Sequence, residues 1–369
     1  MQIVFTGNTS FKIANFRAGL VRALISGGHS VTVLAPPDEY TETLIDMGCQ
    51  FVPLYMDRNG TNPISETRLL LSVHRSLRRI RPDFVFSYTI KNNIYSGLVC
   101  RMLGIPFAPN VTGLGPAFCR GGILTSLVRN LYRVAFRKAS KVFFQNEQDQ
   151  AVFLDAKIVH QNSTKLLPGS GVDLTAFSQA PLPDVEQPVR FLLVARMLKN
   201  KGVIMFAEAA RVVKDKHPEV KFQLLGPIDA ESRTAIRKSE IDAWVTAGVV
   251  DYLGSQTDVR PTLRQAHCVV LPSYYYEGTP RSLLEAAAIG RPLISTEMPG
   301  CRDAVLPGVS GFLVAPRQID QLAQAMQDFI NLPANERIAM GQASRRHMEE
   351  KYNEQIIINA YFDLVTHEI

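Results

Sequence analysis

Glu277 and Glu285 stand with seven residues between them in the stretch LPSYYYEGTPRSLLEA, residues 271–286. An apolar run ends there, a Gly278-Thr279-Pro280 turn follows, and Pro280 falls where the first position of a helix tolerates proline. The amides of Gly278 and Thr279 then face whatever lies beyond the strand's carboxyl end, a place suited to a phosphate. Glu277 falls in the loop and Glu285 about five residues into the helix, so at roughly 1.5 Å per residue the carboxylates are a nucleotide's length apart. One can grip a sugar, the other a ribose diol.

A second loop carries cations. Val194-Ala195-Arg196-Met197-Leu198-Lys199-Asn200-Lys201-Gly202 follows one predicted strand and precedes a helix, which places Arg196 and Lys201 at the edge where open α/β sheets bind ligands. Arg can chelate two oxygens of a diphosphate while Lys supplies a point charge. Two glycine loops, Gly7-Asn8-Thr9-Ser10 and Thr112-Gly113-Leu114-Gly115, follow the first and fifth predicted strands. Gly7 suits a close approach to a phosphate and Gly113 an approach to a second substrate. Neither loop is a G-x-G-x-x-G fingerprint, which argues against a nicotinamide dehydrogenase.

These loops need sheets to hold them. Strand-like runs alternate with amphipathic helical stretches through both halves of the 369 residues, which predicts parallel sheets covered on both faces. Single helices are expected over 14–26, 124–139 and 334–351, with a last one over 354–366. The stretch LLPGSGVD with the prolines that follow marks a linker, so two Rossmann-like domains are expected, 1–172 and 173–353, the last helix returning to complete the first. Hydrophobic residues at 46% and charged residues at 20% give a globular balance. Five scattered cysteines without a CxxC pair suggest a reducing cytosol, and the start has neither the charge nor the apolar core of a signal peptide.

The net charge of +6 is uneven. Residues 1–172 carry 19 lysines and arginines against 10 acids, the remainder 21 against 24. Arg129, Arg133 and Arg137 recur every fourth residue and so share a helix face, with Leu127, Leu131 and Val134 expected on the other side. Such a face suits an anionic membrane surface, and no basic-aromatic platform points to nucleic acid. The seven histidines show no ligand pairing.

Taken with the linker LLPGSGVDLTAF and the segments GRPLISTEMPGCRDAV and GVSGFLV, these motifs resemble the family-4 glycosyltransferases of the GT-B fold. The resemblance implies two Rossmann-like domains facing a central cleft, the sugar nucleotide in the second, the acceptor in the first, and transfer with retention of anomeric configuration. By position, Arg196 and Lys201 would bind the donor diphosphate, Glu277 the transferred sugar and Glu285 the ribose. The chain contains no Asp-x-Asp, the metal-ligand motif of the alternative glycosyltransferase fold, so neither metal nor other cofactor is expected.

The first half is similar to enzymes that extend undecaprenyl-diphosphate-linked sugars, through SFKIANFRAGLVRAL, PPDEYTETL, SYTIKNNIYSG and NVTGLGPAF. That likeness implies a cytoplasmic protein, peripheral on the inner membrane face, moving a hexose or N-acetylhexosamine from a UDP-sugar to a lipid-diphosphate-linked sugar in bacterial surface polysaccharide assembly. Many such relatives carry a histidine after the fourth strand. This chain has none there, which leaves Lys91, Asn92 or Asn93 to take its place at the reacting sugar, while Lys91, Asn93 and Gly113 are expected to meet the acceptor. The rival expectation is a nucleotide-sugar epimerase, or a UDP-sugar-binding protein without transferase activity.

Overall fold

The computed structural model describes residues 1–57, 62–114, 122–184, 187–229, 232–275 and 278–367. It divides into two units, Met1–Ser170 with Glu354–Ile369, and Gly171–Asn353. In the first unit the strands are β1 (Gln2–Thr6), β2 (Ser30–Ala35), β3 (Gln50–Pro53), β4 (Phe84–Tyr88), β5 (Phe107–Val111), β6 (Val142–Phe144) and β7 (Thr164–Leu166). They pair in parallel in the order β3-β2-β1-β4-β5-β6-β7. Both faces are covered, so Ile3, Val4, Phe5, Phe84, Val85 and Phe86 are all buried without alternation, as a helix-covered parallel strand requires.

The second unit repeats the plan with β8 (Arg190–Val194), β9 (Lys221–Leu225), β10 (Asp251–Tyr252), β11 (Cys268–Leu271), β12 (Leu293–Thr296) and β13 (Gly311–Val314), ordered β10-β9-β8-β11-β12-β13. Strand order reverses between β1 and β4 in one sheet and between β8 and β11 in the other. At each reversal the connecting helices leave for opposite faces, and the loops beyond the strands' carboxyl ends stand apart.

Two expected helices are broken. Residues 10–26 form Ser10–Phe16 and Ala18–Ser26, because Arg17 takes φ −133°. Its buried guanidinium lies 4.8 Å from the centre of the Tyr88 ring. The helix Ala334–His347 ends in a wider π-turn, Met348–Tyr352, where the Tyr352 hydroxyl donates to the Asp303 carbonyl at 2.7 Å. The Tyr352 carbonyl accepts from the Val172 amide at 2.8 Å, so the outgoing and returning segments lie together in the second unit.

Arginines hold the residues after the break. Arg291 is fully buried and donates to the carbonyls of Ala266, Ala180 and Pro181. Burial lowers its pKa to about 10, yet its charge is met by backbone dipoles rather than by a carboxylate. Arg345 likewise donates to the carbonyls of Phe177 and Ala288, at 2.9 and 2.8 Å.

The helix Glu354–His367 completes the first unit by packing against Ala18–Ser26, with Ile357, Ala360, Tyr361 and Val365 in the core. A Cβ on Gly27 would lie 3.0 Å from the Phe362 ring, so glycine there admits the close approach. At the centre, the Tyr361 hydroxyl accepts from the Tyr88 hydroxyl and from the Asn110 amide, both at 3.0 Å. Tyr361→Phe leaves both donors buried and unanswered, and an unmet buried polar group costs about 1–3 kcal/mol. We expect urea denaturation to show a loss of about 2 kcal/mol or more; a loss under about 0.5 kcal/mol would mean that neither bond secures the last helix.

Candidate active site

The second unit gathers its chemistry at the carboxyl edge of β8 and β11. After β8 the chain crosses Arg196 and turns through the 3-10 segment Lys199–Lys201 to Gly202, which takes φ +79° before the helix Val203–Lys214. A Cβ on Gly202 would overlap the Pro272 carbonyl just past β11. Glycine therefore satisfies both the left-handed backbone and the contact. The approach is fastened by the Asn200 carbonyl, which accepts from the Tyr274 amide at 3.1 Å and from the Ser273 hydroxyl at 3.2 Å. Met197 and Leu198 are buried and anchor the loop from below.

The structure thus brings the Arg196–Lys201 loop beside the Ser273–Pro280 loop. Lys201 is half-buried in it. The Arg196 side chain is 58% exposed and ion-paired with Asp229, beyond β9, at 2.8 Å. An exposed pair of this kind is weak, so Arg196 is free to exchange Asp229 for a more highly charged anion at little cost.

The helix Arg281–Ile289 begins one residue later than expected. Pro280, at φ −64° and ψ 123°, is its cap and not its first helical residue. Thr279 is buried and lies beside the Tyr352 hydroxyl. No acid occupies the helix's first turn, so its free amides keep their preference for an anion near Gly278 and Thr279. Glu277 lies outside the described residues. Glu285 is on the helix's fifth position, its side chain 14% exposed, and its Oε1 accepts from Arg281 Nε at 2.6 Å. Burial pushes the Glu285 carboxyl above the usual glutamate range and the Arg281 guanidinium opposes that shift.

Sequence reasoning missed Arg281, although its four-residue spacing from Glu285 was the available signal. It also missed Arg317, beyond β13, whose guanidinium lies 4.5 Å from the centre of the Tyr274 ring. Nothing local in the sequence links those two residues.

In the first unit Gly7 follows β1 and its amide donates to the Leu34 carbonyl at 3.2 Å. Gly113 follows β5 with φ +137° and open space where a Cβ would be, and the loop beyond residue 114 lies outside the described residues. Lys91 pairs with Glu66 at 2.5 Å. Asn93 is buried, accepting from Ser87 and donating to the Asn110 carbonyl, and so holds β4 to β5 from within.

The helix Gly122–Phe136 corrects the expected facing of its arginines. Thr125, Tyr132, Ala135 and Phe136 form the buried side, while Leu127 and Val134 are 53% and 44% exposed. They therefore share the outer surface with Arg133 and with Arg137, just past the helix. Arg133 also donates to the Ala156 carbonyl at 2.8 Å, and Arg129 is half-buried. Among the described residues no group of His, Cys, Asp or Glu side chains is arranged to hold a metal ion, and no helix is long and apolar enough to cross a membrane.

Known proteins share this architecture. The family described as glycosyl transferase 4-like matches residues 3–146, and the one described as glycosyl transferases group 1 matches residues 188–331. The chain is 27% identical to the N,N'-diacetylbacillosaminyl-diphospho-undecaprenol alpha-1,3-N-acetylgalactosaminyltransferase of Campylobacter jejuni, over 99% of this chain and 98% of that protein. It is 23% identical to the UDP-Gal:alpha-D-GlcNAc-diphosphoundecaprenol alpha-1,3-galactosyltransferase of Escherichia coli, over 71% of this chain and 70% of that one. Among solved structures, Anabaena HepE in complex with UDP superposes with a TM-score of 0.80 at 17% identity, covering all of both chains.

The buried Arg281–Glu285 pair gives a test of the site's electrostatics. The folded state holds the Glu285 proton more tightly than the unfolded chain, whose carboxyl titrates near the ordinary 4.5, so stability is lost as pH rises through that range. Removing the guanidinium enlarges the loss. Arg281→Gln is expected to cost about 2 kcal/mol at pH 8 and distinctly less at pH 5, each against wild type in urea. An equal loss at both pH values would mean that Arg281 acts by packing alone.

Proposed function

The chain belongs to the glycosyltransferases, with a 4-like first unit and a group 1 second unit in the GT-B fold, and from that premise we propose that it transfers a hexose or N-acetylhexosamine from a UDP-sugar to a lipid-diphosphate-linked sugar in polysaccharide or glycan assembly. Full-length similarity to an undecaprenyl-diphosphate-linked N-acetylgalactosaminyltransferase supports the acceptor class. The observation that carries the reading is the fastening of the Arg196–Lys201 loop onto the Ser273–Pro280 loop through Asn200 and Gly202. It places two cations and an uncapped helix start at one strand edge.

In this reading Arg196 leaves Asp229 for the donor diphosphate, Lys201 adds a second charge, and the Gly278–Thr279 amides take up a phosphate oxygen. Glu285, oriented by Arg281, accepts from the ribose hydroxyls, and Glu277 holds the sugar. As transfer proceeds, the bond from the anomeric carbon to the diphosphate oxygen breaks and the diphosphate keeps the electron pair. The acceptor hydroxyl oxygen forms the new bond to the anomeric carbon on the face the diphosphate leaves, and its proton passes to the departing diphosphate oxygen. Stabilising the departing charge is where the cations lower the barrier. They do so without a metal ion, and the anomeric configuration is retained.

The decisive assay combines UDP-sugars with a synthetic lipid-diphosphate sugar and reads product mass and anomer. Arg196→Ala and Lys201→Ala are each expected to lower kcat by about 10²-fold or more, an effect of roughly 3 kcal/mol for one lost charge contact. Turnover in wild type should persist in excess chelator. Near-native turnover in either variant, or loss in chelator restored by Mn²⁺, would sink the corresponding assignment. A UDP-sugar bound without any transfer would favour the non-transferase alternative.

We also propose that the outer face of the helix Gly122–Phe136 meets an anionic membrane, since Leu127 and Val134 stand exposed among Arg133, Arg137 and Lys138. Each cation near the surface contributes about 1 kcal/mol, screened over a Debye length of about 10 Å at 0.1 M salt. Sedimentation with phosphatidylglycerol vesicles should be salt-sensitive and several-fold weaker for Leu127→Ser combined with Arg137→Glu. Equal pelleting of both proteins at every salt concentration would exclude this face.

A further inference from the structure

Three consecutive side chains after β4 compete for one role, and the structure separates them. Lys91 is committed to Glu66 and to the Asp57 carbonyl, at 2.5 and 2.7 Å. Asn93 accepts from Ser87 at 2.7 Å and donates to the Asn110 carbonyl at 2.9 Å, so its amide is spent within the core. Asn92 is 3% exposed, and neither its carboxamide oxygen nor its nitrogen has a hydrogen-bond partner. Buried polar groups are normally paired, and each exception calls for a reason.

Two more exceptions lie at the same edge. The Thr89 hydroxyl is buried without a partner, and Thr89 itself takes φ +77°, a strained conformation for a β-branched residue. It precedes the helix Ile90–Leu103 yet makes no side-chain cap bond to it. The Asn8 Oδ1 is also buried and unpartnered. Thr6 of β1 pairs in register with Ser87 of β4, which brings Asn8 and Thr89, each two residues further on, to adjacent strand ends at the sheet's reversal.

The unmet valences define the ligand. Asn8 Oδ1 and Asn92 Oδ1 need donors, Asn92 Nδ2 needs an acceptor, and the Thr89 hydroxyl takes either. A phosphate offers no proton to the two oxygens, and an apolar group answers none of the four atoms. Neighbouring hydroxyls, each donating and accepting, answer all of them. We propose that Asn92, Thr89 and Asn8 form a hydroxyl-reading subsite for the sugar of the acceptor, held by the first unit. This rests on the transfer reading above and assigns its acceptor specificity to the Asn92 carboxamide.

The experiment measures binding of farnesyl-diphosphate-linked N-acetylglucosamine and of farnesyl diphosphate alone. Wild type should prefer the sugar-bearing lipid, and Asn92→Ala should lose about tenfold of that preference, the size of one net hydrogen bond. UDP affinity, read on the same samples, should stay at the wild-type value, and an unchanged urea or thermal unfolding transition shows that the first unit is folded in the variant. Thr89→Gly removes both the hydroxyl and the strain, so it should raise the melting temperature while lowering the preference, a combination that a purely structural role for Thr89 does not produce. The proposal is overturned if wild type shows no sugar preference, if Asn92→Ala keeps it, or if Asn92→Ala raises KM for the UDP-sugar and leaves the acceptor's unchanged. Preferential binding of the sugar-bearing lipid with no transfer to it would instead refute the transfer reading and support the subsite.

Discussion

The second unit's site depends on one close approach, the backbone of Gly202 against the Pro272 carbonyl. Parallel strands send all of their outgoing loops to one edge, but that alone does not put two particular loops in contact. A residue without a Cβ, held at φ +79°, lets the turn before Val203–Lys214 settle onto the end of β11. Asn200 can then accept from Ser273 and Tyr274, and the cations of one loop come to the helix start of the other. A side chain at 202 would separate them without removing any charged group.

The two units use the same reversal of strand order for different chemistry. In the second, exposed or half-buried charges surround an uncapped helix start, an arrangement suited to an anion. In the first, uncharged groups lie buried at the reversal, with three of them unanswered. Away from both edges, buried polar side chains are mostly bonded within the fold, with the Nε atoms of Arg291 and Arg337 among the exceptions in the described residues. Arg291 is caged by carbonyls, and Tyr361 accepts two hydrogen bonds at the centre of the first core. At the β1–β4 edge four unmet atoms belong to three residues that follow β1 and β4, and each is an uncharged group that a hydroxyl can answer, which is why they read as a binding surface.

Chain pattern alone revealed the plan of both sheets, because strands buried on both faces are written as continuous apolar runs such as Ile3–Phe5 and Val269–Leu271. The placement of Arg196, Lys201 and Glu285 on their loops and helix was legible for a related reason. Each is tied to a strand end or a helix start within its own segment, and local spacing sets where such residues fall. The helix Gly122–Phe136 was read with the wrong side inward, since two apolar residues, Leu127 and Val134, are exposed and only packing against the core decides which stripe is buried.

What the sequence determined by itself is therefore whatever depends on neighbours along the chain: element type, the strand-to-helix loops, and the charges placed on them. The tertiary structure alone decided which of Lys91, Asn92 and Asn93 is left unpaired, since their partners are Glu66, Ser87 and Asn110 on other elements. It also decided that Tyr274 would meet Arg317, and that Tyr88 and Tyr361, 273 residues apart, would share a hydrogen bond. Hydrogen bonding and burial are satisfied by proximity in space, and no periodicity along a chain encodes the distance between residues that folding brings together.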